Sequence, residues 1–297
     1  MLREKADGTH DHRQLRPLVF LGAAVIACAA AADVPQRIVS LSPDLTEIIY
    51  GLGALDRVVG VSNFETYPPA VSKILRLGTL DTPSLEKISA LRPDLVIINT
   101  AQAQFLEGTL KSLNLKVLRC SNRTIAEVYE AITAIGHAIG AEKEAAALVA
   151  STRAGIDRVA HRISAKPGIN RPSVAMIVDR LPGTLQSLYM ATGGTYLAEL
   201  IEIAGGRMAM PPVPTGYAKL RHEDLLAANP EIILDFVQGP ASRFSGNAIE
   251  PWSEMPELKA VRTHHVFEVN QDFVPHASQR IVLTAELFAK LIHPEIP

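Results

Sequence analysis

The sequence predicts an α/β protein of two Rossmann-like lobes with parallel-rich sheets, joined by one long backbone helix. Three observations carry that expectation: short β-rich runs alternate with helical stretches in both halves, one pattern of the first half recurs in the second, and a proline-free helical segment lies between them. The expected organisation is a leader over residues 1–32, a first lobe over 34–140, a linking helix over 141–165 and a second lobe over 170–297.

The leader comes first in the chain. Arg13 and Arg16 precede an uncharged apolar run, Leu18 to Ala32, too short for a comfortable membrane span, so export to the periplasm or cell envelope is expected. Two exits are written there. Ala30-Ala31-Ala32 before Asp33 has the form of a cleavage site, and Val25-Ile26-Ala27-Cys28 has the form of a lipobox in which Cys28 would be acylated. Membrane attachment is expected only through such an anchor.

In the first lobe, strands are expected over 37–41, 58–61, 95–99 and 116–120. Asp44 followed by Glu47 has the spacing of a capping box for a helix through Leu52, ended by Gly53. The linker, Ala141 to Ser164, places Leu148, Thr152, Ile156, Val159 and Ile163 on one stripe, and Lys166-Pro167-Gly168 closes it. Strands of the second lobe are expected over 173–178, 231–237 and 265–270. The repeat is ungapped: Ser84 to Ile98 lies on Arg221 to Asp235, with Glu86 on Glu223 and Pro93 on Pro230. Each copy reads as a short helix that stops before proline and feeds a buried strand.

Composition narrows the function. With 297 residues, 47% hydrophobic, 20% charged and a formal net charge of -2, the chain has no basic excess for nucleic acid or anionic membranes. Gly-x-Ser-x-Gly, the phosphate loop, His-Glu-x-x-His and Cys-x-x-Cys are all missing, and Gly51-Leu52-Gly53 follows a helical pattern instead of a strand. A binding protein without catalysis is expected. A hydrolase or transferase on a doubly wound sheet, and a free-standing envelope sensor, are the readings from other classes. Cys120 reads as a buried strand residue, His264 and His265 as solvated turn residues, and His276 as structural; no metal site is expected.

Aromatic residues make up only 5% of the chain, so their placement is informative. Phe64, Tyr67, Tyr189 and Phe273 fall at the carboxyl ends of expected strands or at helix starts beyond them, where they would wall a cleft for a large planar ligand.

Taken together, the motifs Arg37-Ile38-Val39-Ser40-Leu41-Ser42-Pro43 with Thr46-Glu47, Val59-Gly60-Val61-Ser62 with Tyr67-Pro68-Pro69, Leu85-Glu86-Lys87-Ile88 leading into Arg92-Pro93-Asp94, and Ala277-Ser278 with Arg280-Ile281 resemble the substrate-binding proteins of ABC importers for cobalamin, heme and iron siderophores. Cobalamin binders are the most similar in these motifs. The resemblance implies a helical-backbone periplasmic binding fold that captures a chelate and delivers it to a permease dimer with its ATPase, without a cofactor of its own. It implies ligand contacts at Phe64, Tyr67, Tyr189, Asp272 and Phe273. Leu80 and Asn99, also expected to line the ligand site, stand where the cobalamin type has tryptophans. Glu86 and Glu223 would dock on the permease, and Arg180 is the basic residue expected near the cleft.

Overall fold

The structure is a computed structural model, and residues 34–237 and 249–296 are described; the expected leader, including Cys28, lies outside them. The first sheet contains β1 (Ile38–Ser40), β2 (Val58–Val61), β3 (Leu75–Arg76), β4 (Leu95–Asn99) and β5 (Val117–Cys120), all parallel, in the order β3-β2-β1-β4-β5. Around it lie α1 (Pro43–Gly51), α2 (Leu85–Ala90), α3 (Thr100–Ser112) and α4 (Ile125–Ala138). The order reverses at β1, and a crevice for ligand is favoured at the carboxyl ends of such a switch point.

A helix of 23 residues, α5 (Glu142–Ser164), leads to the second sheet. That half contains β6 (Ser173–Asp179), β7 (Tyr189–Ala191), α6 (Tyr196–Ile203), β8 (Arg207–Met208), β9 (Tyr217–Lys219), α7 (His222–Ala228), β10 (Ile232–Phe236), α8 (Lys259–Arg262), β11 (Val266–Val269) and α9 (Ile281–Ile292). Strands β11, β10 and β6 run parallel, β7 pairs antiparallel with β6, β9 pairs antiparallel with β7 at the sheet edge, and β8 pairs with the start of β6.

The apolar runs are continuous because both faces of each sheet are covered. In β4, Leu95 and Ile97 join the core shared with α4 and α5, whereas Val96 and Ile98 pack with Leu106 and Leu110 of α3. In β6, Val174 and Met176 face that same shared core, and Ala175 and Ile177 face Trp252 and Leu258. The shared core therefore runs through both halves. Helix α5 contributes Ala145, Ile156, Val159 and Ile163 to it; the last three, with buried Thr152 and partly buried Leu148, make up the stripe expected from its spacing. Close approach is built in: a Cβ on Gly136 of α4 would lie 2.4 Å from the Ala145 Cβ, and one on Gly155 of α5 would lie 2.7 Å from both γ-methyls of Val282 on α9.

The repeat holds down to single backbone angles. Arg92 and Asn229 occupy the same position in the two copies, each left-handed (φ 45 and 40), each between its short helix and a proline. The left-handed turn ends the helix and aims the following strand into the sheet.

One local expectation is corrected. Helix α1 starts at Pro43, with Ser42 as its cap, so Asp44 and Glu47 form no capping box. Asp44 instead accepts the Ser42 hydroxyl, and Glu47 turns toward the second half of the chain.

Candidate functional site

The loop after β2 is pinned from below by a buried carboxylate. Glu65 accepts the backbone N–H of Ser62 at 3.1 Å and its hydroxyl at 2.7 Å, while Arg76 donates to the carbonyls of Ser62 and Glu65, each at 2.9 Å. Burial pushes the Glu65 carboxyl up against the lowering effect of those hydrogen bonds. Fixed in this way, the loop leaves Phe64 53% exposed and brings Tyr67 edge-on to Tyr50, with ring centroids 5.6 Å apart.

Glu47 ties this edge to the second half. Its carboxylate is buried and accepts from Arg280 Nη1 at 2.8 Å, from His276 Nδ1 at 2.8 Å and from the Ser278 hydroxyl; its backbone carbonyl accepts from Gln279 Nε2 at 2.8 Å. Arg280 reaches further. Its guanidinium lies 4.0 Å from the Tyr67 ring centroid and 5.4 Å from that of Phe273, and Nη2 donates to Asp272 at 2.9 Å. Burial pulls the His276 imidazole down, but the Glu47 hydrogen bond and the charges of Glu47 and Asp44 outweigh it, and the net shift is upward. His276 is thus a structural histidine within an ion-pair network joining the two halves. Beneath lies Asp44, whose carboxyl is pushed up by burial despite the Ser42 hydrogen bond, and whose Oδ2 has no hydrogen-bond partner.

In the second half, a cavity of about 390 Å³ opens at the carboxyl ends of β6 and β10. Tyr189, Tyr217, Tyr196, Phe236, Val274 and Asp179 are among its walls. Tyr196 donates its hydroxyl to the Val274 carbonyl at 2.9 Å, which fixes the segment after Phe273. Tyr189 is 41% exposed and starts strand β7 opposite Asp179, so it stands on an antiparallel strand instead of at the helix start expected there. Beside Tyr217 is Arg123, an exposed guanidinium whose Nε donates to the Gly194 carbonyl at 2.9 Å; burial pushes the Tyr217 phenol up and the Arg123 charge pulls it down.

Tyr67, Asp272 and Phe273 thus gather on Arg280, Phe64 stands exposed on the pinned loop three residues before Tyr67, and Tyr189 lines the neighbouring cavity. Asn99 caps α3: its Oδ1 accepts from the Gln102 backbone N–H at 2.9 Å, and its Nδ2 donates to the Ser42 hydroxyl at 3.3 Å. Leu80 offers its carbonyl to Gln102 Nε2 at 3.1 Å. Arg180 is a correction. Its side chain is 1% exposed and pairs with buried Asp235, Nη2 to Oδ2 at 2.8 Å, so that carboxylate turns it inward. The basic residue beside the cavity is Arg123, which the sequence reading missed, along with Tyr217, Phe236 and Asp179.

Glu86 and Glu223 are exposed on α2 and α7. Cys120 is buried, and its thiol is pushed up to about 12 by burial. His264 and His265 are exposed, and no cluster of side chains suited to a metal ion occurs among the described residues. The arrangement offers flat rings, hydrogen-bond groups and a concave wall, which suits capture of a large ligand.

Several known proteins are similar along most of the chain. A Bacillus subtilis protein named as an uncharacterized ABC transporter substrate-binding lipoprotein, YvrC, is 29% identical over 265 residues, covering 88% of this chain and 81% of its own. A cobalamin-binding protein of Halobacterium salinarum is 29% identical over 267 residues, covering 87% of this chain and 70% of its own. The solved apo structure of the periplasmic heme-binding protein RhuT from Roseiflexus superposes with a TM-score of 0.75 over 88% of this chain and 99% of its own, at 22% identity, which speaks for the fold. The family model described as periplasmic binding protein matches residues 38–273, and the chain belongs to that family.

Proposed function

We propose that this protein is the substrate-binding component of an ABC importer, exported to the envelope side of the membrane, and that it captures a corrinoid and hands it to a permease without chemical change. The observation that carries the reading is the packing of Tyr67 and Phe273 on Arg280, together with the tyrosine-walled cavity that Val274 and Pro275 line immediately after Phe273. A cavity of about 390 Å³ holds one part of a large chelate, with the exposed rings covering the remainder. The cobalamin-binding relative supports the ligand class, and the relatives' names support the transport role. A lipid anchor at Cys28 agrees with the lipoprotein relative. Glu86 and Glu223, at one register of the repeat, are the proposed contacts with a two-fold permease.

The test is titration of cyanocobalamin into the purified protein by calorimetry, together with the visible spectrum of protein purified from its own host. Saturable binding at one site and a corrinoid spectrum are expected; no heat and a heme spectrum refute the ligand. Heme is the second reading, and Arg123 favours it. An exposed guanidinium beside the Tyr217 phenol could meet a propionate there.

A further inference from the structure

Arg280 touches both sides of the proposed ligand surface, yet its charge is covered. Glu47, fully buried at 0% exposure, takes Nη1, and Asp272 takes Nη2, each through a short N–H···O contact (2.8 and 2.9 Å). The planar guanidinium meanwhile lies against Tyr67 and Phe273, two of the rings assigned to the ligand. An uncovered arginine at such a place would pair in bidentate fashion with a ligand carboxylate. A further carboxylate belongs to the adjoining cavity, where Asp179 is exposed at the wall.

We infer that Glu47 is a specificity-determining residue: by masking Arg280 from within the protein, it makes the cleft accept chelates with an uncharged, amide-bearing edge and disfavour those with a carboxylate there. The inference rests on the chelate-binding reading above. A carboxylate this deeply buried needs strong donors, and His276, Ser278 and Arg280 supply them. Its position thus fits a tie between the halves as well. The two roles separate by charge, because loosening a tie weakens all ligands alike, whereas unmasking a cation changes the ratio between ligands that differ only in charge.

The experiment uses two such pairs with the full chain: cyanocobalamin against its monocarboxylate, in which one side-chain amide is hydrolysed, and hemin against its dimethyl ester. In Glu47→Gln, affinity for the acid relative to its neutral partner should rise roughly tenfold, the order expected for one gained hydrogen bond between charged groups. Asp272→Asn should shift the ratio in the same direction by less, and the double variant Glu47→Gln with Arg280→Gln should return it to the wild-type value. An unchanged ratio in Glu47→Gln, with both members weakened together, overturns the inference. If that variant does not fold, Asp272→Asn decides alone, since its side chain is 47% exposed. Wild-type protein that binds only the porphyrin pair refutes the corrinoid reading, while the ratio within that pair still judges Glu47. Binding of neither pair overturns both.

Discussion

Replacing Tyr189 by alanine removes a ring that the folded protein leaves 41% exposed, and that exposure sets the size of the effect. A tyrosine buries on the order of 150–250 Å² when fully covered, so roughly 60–100 Å² remain for a ligand to cover. At about 25 cal/mol per Å², this area corresponds to roughly 1.5–2.5 kcal/mol, or about a 10- to 70-fold loss of affinity. The fold should be unaffected, because β7 is held by backbone pairing to β6 and β9 and the side chain, partly exposed, lines the cavity instead of the core. Tyr67→Ala is the informative contrast. Arg280 already covers one face of that ring and Tyr50 meets it edge-on, so less of its area is left for ligand and more of its loss should appear as lower stability. Calorimetry with cyanocobalamin and urea unfolding on both variants separate the two effects. Unchanged affinity in Tyr189→Ala, with the variant folded, would falsify the placement of the ligand against this cavity.

Three further outcomes are expected. Asp235→Ala removes the carboxylate that pairs with the buried Arg180 guanidinium and accepts from the Trp252 indole N–H at 2.8 Å, so unfolding free energy should fall by about 3–5 kcal/mol; a loss below 1 kcal/mol refutes the pairing. His276, facing Glu47, Asp44 and Arg280, holds its proton above the usual value of 6.5 in the folded state. Its stabilisation is therefore complete below about pH 6.5 and is lost as pH rises through the folded value, and His276→Gln should flatten that part of the stability profile; an identical slope in both proteins refutes it. Reversing both Glu86 and Glu223 to lysine should leave ligand affinity intact and abolish uptake through the cognate permease, and normal uptake would make them helix-start residues only.

Much of the architecture was legible because it is written in local patterns. Apolar runs punctuated by proline marked strands that the structure buries on both faces, and the α5 stripe followed from its 3.6-residue period. The repeat preserved even the left-handed residue before each proline. Where the reading failed, a partner remote in sequence decided the matter. Glu47 satisfied a local capping rule, but Arg280, 233 residues away, and His276 provide donors that a helix terminus does not match. Arg180 looked available until Asp235 of the neighbouring strand was placed beside it. That pairing left a trace: an acid within the apolar run Ile232 to Phe236 demands a buried cation or donor. Tyr217 and Phe236 left none, since the cavity they share is assembled only when β9 and β10 are brought together, and Arg123 reaches Tyr217 from the segment before α4.

The fit of α5 between α4 and α9 bears on how such a protein can be recombined. Gly136 of α4 against Ala145 of α5, and Gly155 of α5 against Val282 of α9, are matched surfaces on the connecting helix and its neighbour from each half. Exchanging one sheet with that of a relative, cut at either end of α5, would set foreign side chains against those glycines, where even one added methyl collides. Ligand preference is therefore more readily moved by grafting the loops that carry Phe64, Tyr67 and Phe273 onto an intact scaffold than by trading whole halves. Inherited variation should likewise concentrate in those loops and spare the helix crossings.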